Sequence, residues 1–168
     1  MKNKQPTPKS TTTHIAALWL VLAAFCLPAA QLQAQGRGSP PTPFTITQIF
    51  SGFCSFDVLS QTIGKTGVIF LPGGDFLVTE PATFETLTNL SDPTKSVTLN
   101  ITGPAVISPV QNGTITIHGL GRGVIGGPSF GLHLLIGDHT VVIDANTGFL
   151  VQPPTGTGQD IDVCGLID

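Results

Sequence analysis

Ser96-Val97-Thr98-Leu99-Asn100-Ile101-Thr102 alternates without a break between apolar and polar residues. Val97, Leu99 and Ile101 fall on one side of an extended chain and Ser96, Thr98, Asn100 and Thr102 on the other. A helix would scatter the three apolar side chains around its circumference, so the stretch is read as a half-buried β-strand.

The same period recurs on either side of it. Residues 83–90 alternate less cleanly and are predicted to pair with 96–102 across the turn Asn89-Leu90-Ser91-Asp92-Pro93-Thr94-Lys95. Residues 105–110 and 114–120 flank Gln111-Asn112-Gly113, and Asn-Gly between β-branched runs is a strong hairpin signal because both residues accept positive φ. Two more hairpins are predicted. One joins 67–71 to 75–79 through Pro72-Gly73-Gly74, and the other joins 132–136 to 139–144 through Gly137-Asp138. No segment after Phe44 keeps a helical apolar spacing beyond two turns. About eight to ten short strands in sequential hairpins predict an all-β, single-domain, antiparallel up-and-down meander, with a closed β-barrel preferred to a β-sandwich because closure removes exposed edges.

The N-terminus reads as an export signal. Lys2, Lys4, Lys9 and His14 form a basic, polar segment, and an uncharged apolar run of about 16 residues follows, short of the ~20 a spanning helix needs. Small residues at Ala29, Ala30 and Ala34 place cleavage after Ala34, with Ala30 as the alternative site and a retained anchor as the alternative fate. Cys26 closes Leu22-Ala23-Ala24-Phe25-Cys26 in the apolar run, but Phe25 occupies the position where lipid attachment calls for a small residue. Cys26 is therefore read as removed with residues 1–34. Gln-Gly-Arg-Gly-Ser-Pro-Pro-Thr-Pro at 35–43 is read as a flexible Pro/Gly linker, and 44–168 as the secreted domain. The polar Thr11 to Thr13 run and the long n-region suggest a bacterial host.

Cleavage takes three of the seven basic residues and none of the ten acidic ones, leaving a net charge near −6. Such a chain lacks the basic face that phosphates require, so nucleic acid is excluded, as are an electrostatic grip on anionic lipid and stable membrane insertion after processing. Cys54 and Cys164 survive processing. Outside the cell they are most simply a disulfide enclosing 109 residues, contributing roughly 4–5 kcal/mol through the entropy removed from the unfolded chain. The bridge is expected to set the first and last strands side by side. Free thiols or an intermolecular bridge are the alternative.

Gly52-Phe53-Cys54-Ser55-Phe56-Asp57-Val58, the run from Leu90 to Pro104, Gly119-Leu120-Gly121-Arg122 and Ile161-Asp162-Val163-Cys164-Gly165-Leu166 carry a likeness. Together they resemble an uncharacterised family of secreted bacterial β-rich proteins, with a signal peptide, an early cysteine before a Phe, a T-N…K-S-V-T-L-N-x-x-G-P hairpin and a terminal D-V-C-x-x-L. This chain departs in its Ser-Asp-Pro-Thr turn, where Thr-Gly is common in the family. The resemblance implies export and a β-fold, and it brings no activity with it.

No catalytic or cofactor signature stands out. Gly119-Leu120-Gly121-Arg122-Gly123 is not followed by a helix that could present amides to a phosphate, so it reads as a tight crossing or bulge between strands. His118, His133 and His139, with Asp138 and Asp144, lack a close pair at zinc-ligand spacing on one face and read as surface groups. By alternation, His133 and Leu135 are placed on a solvent face. Asp160 and Asp162 share one side of the last strand and read as a solvated edge rather than a calcium or glycosidase pair. Asn89, Asn100 and Asn112 each match the glycan acceptor pattern, expected by chance in so Thr-rich a chain.

The expected role is a non-enzymatic extracellular binding or surface module, with a small apolar ligand or a cell-surface component as partner and no cofactor or metal. The alternative is a cavity-type barrel enzyme of the isomerase or cyclase kind, for which His118, His133 and Asp57 are the first polar candidates. An inhibitor or toxin has only secretion and the disulfide behind it.

Overall fold

The computed structural model describes residues 40–168. The expected signal peptide, Cys26 and the part of the expected linker before Pro40 lie outside the described residues. The strands are β1 (Thr42–Phe50), β2 (Val58–Phe70), β3 (Phe76–Glu80), β4 (Phe84–Asn89), β5 (Ser96–Asn100) and β6 (Gly103–Ile107). They continue with β7 (Thr114–Gly119), β8 (Arg122–Gly127), β9 (Gly131–Ile136), β10 (His139–Asp144), β11 (Thr155–Gly156) and β12 (Gln159–Asp162), and a 3₁₀ turn at Cys164–Leu166 follows. Among the described residues there is no α-helix, and no helix is long and apolar enough to cross a membrane. Strand pairing is antiparallel throughout.

Nine strands form the large sheet in the order β11-β10-β7-β6-β3-β2-β4-β5, with β1 laid along β2, while β12-β9-β8 form a separate small sheet. The thirteen-residue β2 ties the large sheet together. Its first half pairs with β4 and its last residues with β3, while β1 runs beside it from Phe50↔Val58 to Thr42↔Thr66. Neither sheet closes into a barrel, since no pairing joins the two ends of either order.

Three of the expected hairpins are present: β2–β3, β4–β5 and β6–β7. In the last, Asn112 and Gly113 have φ of 52° and 80°, the left-handed pair that a two-residue turn needs. The expected hairpin across Gly137-Asp138 is not. Strand β9 pairs with β8 and β12, whereas β10 pairs with β7 and β11, so this link carries the chain from the small sheet to the large one. Gly137 turns it at φ 99°.

Two apolar clusters fill the interior. The first joins Val58, Leu87 and Leu99 of the large sheet to Leu132 and Leu134 of β9, and Val163 and Ile167 close it from the C-terminus, both with no exposed surface. The second sets Leu135 against Val141 and Leu150. Leu134 and Leu135 point to opposite faces of β9 and both are buried, so the large sheet covers the small one on both sides. This corrects the placement of Leu135 on a solvent face. Alternation tells which residues share a face, but not that both faces are covered.

Cys54 and Cys164 are bonded, with their Cα atoms 5.6 Å apart. The bridge does not bring the first and last strands together, because β1 lies on β2 and β12 on β9. Instead it links the β1–β2 connection to the turn after β12, stapling one sheet to the other.

Candidate functional site

Between the sheets lies a hollow of about 570 Å³, walled by residues from β1, β2, β3, β6, β7 and β10 on one side and from β8 and β9 on the other. Register explains its position. Val68, Val78, Ala105, Gly119 and His139 form one inward-facing row across five strands. Ala105 and Gly119 are too small to fill the space in front of them, and Gly103, Gly121, Gly123 and Gly137 also line the wall. Aliphatic side chains, among them Ile46, Ile107, Ile117 and Val124, supply most of the remaining lining.

The Gly119–Gly123 stretch is a close crossing of strands, as its composition suggested. A Cβ on Gly103 would stand 2.6 Å from the Gly121 Cα and 2.8 Å from the Arg122 nitrogen, so two backbones touch where side chains would hold them apart.

Three side chains on the wall can ionise: Glu80, Arg122 and His139. Glu80 ends the inward row Phe76, Val78, Glu80 of β3, and burial raises its carboxyl pKa. Arg122 opens β8, is exposed, and forms no ion pair among the described residues. His139, read from the sequence as a surface group, is instead 6% exposed because its strand faces the small sheet, and its buried Nδ1 has no hydrogen-bond partner. Behind the wall, Glu85 is 4% exposed and accepts a 2.6 Å hydrogen bond from the Ser60 hydroxyl. Burial raises its pKa, the Ser60 bond opposes that, and the nearby charge of Glu80 adds to the rise.

The polar candidates singled out from the sequence stand elsewhere. On the outer face of β7, His118 donates from Nε2 to Asp138 Oδ1 at 2.8 Å. His133 donates from Nδ1 to Asp160 Oδ1 at 2.7 Å and from Nε2 to the Phe130 carbonyl, which fixes it between β9 and β12. Two acceptors on one ring require both nitrogens to carry protons. Partial burial opposes that charge, but the Phe130 carbonyl and the Asp160 and Asp162 carboxylates outweigh it and raise the pKa. Asp57 is exposed before β2, and its backbone carbonyl accepts from the Leu90 amide. None of the three lines the hollow. The histidines do not converge, and among the described residues no three metal-ligating side chains gather.

Asp160 and Asp162 are exposed on β12; the second accepts from the Cys164 amide at 2.9 Å. Asn89 matches the glycan pattern yet is buried, donating from Nδ2 to the Ile167 carbonyl at 3.0 Å and accepting from the Ser91 and Asp92 amides.

Sequence reasoning passed over Glu80 and Arg122. The signal for Glu80 was present as a lone carboxylate at the end of an apolar period-two row, Phe76-x-Val78-x-Glu80. Arg122 carried none, because only the crossing of β6 with the start of β8 brings it to the wall. No family model, curated protein or solved structure matches this chain.

Proposed function

We propose that this chain is an exported binding module that takes one small apolar molecule into the hollow between its sheets. The observation that carries this reading is the hollow itself. Its 570 Å³ falls within the usual size of small-molecule sites, and its wall is mostly aliphatic with a few polar groups. A domain of this size ordinarily fills its interior, and glycines along the wall are what leave this space empty. The disulfide supports an oxidising compartment, in keeping with the signal-like N-terminus and the resemblance to secreted β-proteins. The large sheet wrapped on the small one gives the enclosure that a closed barrel would give, and we read the architecture as a hollow sandwich.

A cavity-type enzyme is the second reading, and Glu80 favours it. A carboxyl with a raised pKa on an apolar wall is suited to proton transfer. Such a role would fall to Glu80 rather than to His118, His133 or Asp57.

Thermal unfolding with a panel of medium-chain alcohols, monoterpenes and monosaccharides tests the binding reading. Alcohols or terpenes are expected to raise Tm by several degrees at concentrations well above Kd, and sugars to leave it unchanged. If no apolar compound stabilises the protein, the reading fails.

A further inference from the structure

The charges on the wall say more about the occupant. Glu80 sits opposite Gly103 in the β3–β6 register, and Gly103 packs against Gly121 and the Arg122 backbone. Glu80 and Arg122 thus flank the same glycine crossing at one end of the hollow, yet they form no ion pair. Among the described residues, Arg122 is the only permanent cation on the wall and Glu80 the only carboxyl. Burial raises the carboxyl pKa of Glu80, and the Arg122 guanidinium has no carboxylate at ion-pair distance among the described residues. The permanent positive charge at this end is suited to an oxyanion, because a guanidinium fork binds carboxylate in two-point fashion.

We propose that the occupant of the hollow is an amphiphilic monoacid, with its apolar skeleton between the sheets and its one carboxylate received by Arg122. This rests on the binding reading above and adds the class of ligand. A cationic amphiphile would meet the like charge of Arg122. A neutral hydrocarbon would use the aliphatic wall and leave the polar end unsatisfied.

Decanoate and decan-1-ol, which share a chain and differ in the head group, separate the two levels of the argument. Titration calorimetry at pH 7.5, where decanoate is ionised, is run on the intact disulfide-bonded protein and on Arg122→Gln. The Arg122 side chain is exposed, so this variant keeps the core and its Tm serves as the folding control. The native protein is expected to bind decanoate about tenfold more tightly than decan-1-ol, the value of one charge-assisted contact. In Arg122→Gln that preference disappears while affinity for the alcohol is retained. Equal affinities in the native protein would overturn the monoacid and leave the apolar cavity standing. A preference that survives in Arg122→Gln would overturn the assignment to Arg122. Failure of both compounds to bind would overturn the binding reading itself.

Discussion

Replacing Ala105 with leucine asks directly whether the interior is hollow. Ala105 lies on β6 between Val78 and Gly119 in register, facing the space between the sheets. Leucine adds three carbons to its side chain. At roughly 0.8 kcal/mol per buried methylene the gain is at most about 2.4 kcal/mol, and fixing the new rotamer takes back about 0.5–1 kcal/mol. A net stabilisation of about 1.5 kcal/mol is expected, which corresponds to a Tm rise of about 5 °C for a domain of this length. Urea unfolding of the oxidised protein measures it as a higher midpoint with an unchanged slope. The added side chain also occupies the proposed ligand volume, so affinity for decan-1-ol falls in the same variant. In a solidly packed interior, the three carbons would instead force strain and cost about 1–3 kcal/mol. A loss of that size, with the slope preserved, would refute the hollow and everything built on it.

His133 predicts a pH dependence. Its pKa is raised in the folded state by the Phe130 carbonyl and the β12 carboxylates over the opposing effect of burial. The stability it contributes is therefore complete below its unfolded value and is lost as pH rises through the folded one. The stability difference between the native protein and His133→Gln should be larger at pH 5.5 than at pH 8.5; an equal difference at both would refute the double donation. The paired change Cys54→Ser with Cys164→Ser is expected to remove roughly 4–5 kcal/mol, the entropy of a loop of this length. A loss below about 1 kcal/mol in chemical denaturation would show that the sheets hold together without the staple.

What the sequence disclosed was local. Asn112-Gly113 declares its turn because the conformations it needs are a property of two residues. The Thr98 and Leu99 stretch declares its strand by side-chain alternation alone. Gly137-Asp138 shows the limit of such reasoning, since a tight turn that returns a chain onto its neighbour and one that hands it to another sheet use the same residues. The disulfide misled in a similar way: two sulfurs locate a contact between connecting segments, and strand order does not follow from it. The hollow could not be read at all. It arises from the absence of side chains at Gly119 and Gly123, where an added Cβ would meet nothing closer than 4.0 Å, once distant strands are brought face to face. Even so, a charged residue that closes an apolar alternating row, as Glu80 does, is a signal worth weighing in other β-chains.

Ile167 and Val163 complete the first apolar cluster, and the Asn89 side chain holds the Ile167 carbonyl in place. A polypeptide emerging N-terminus first therefore displays Val58, Leu87 and Leu99 long before their cover is synthesised. During that interval the half-built sheet has apolar surface exposed to the cell's interior, the situation in which holding chaperones act and aggregation begins. The last residues of the sequence thus decide when the core can close, because the cluster is incomplete until Val163 and Ile167 are in place.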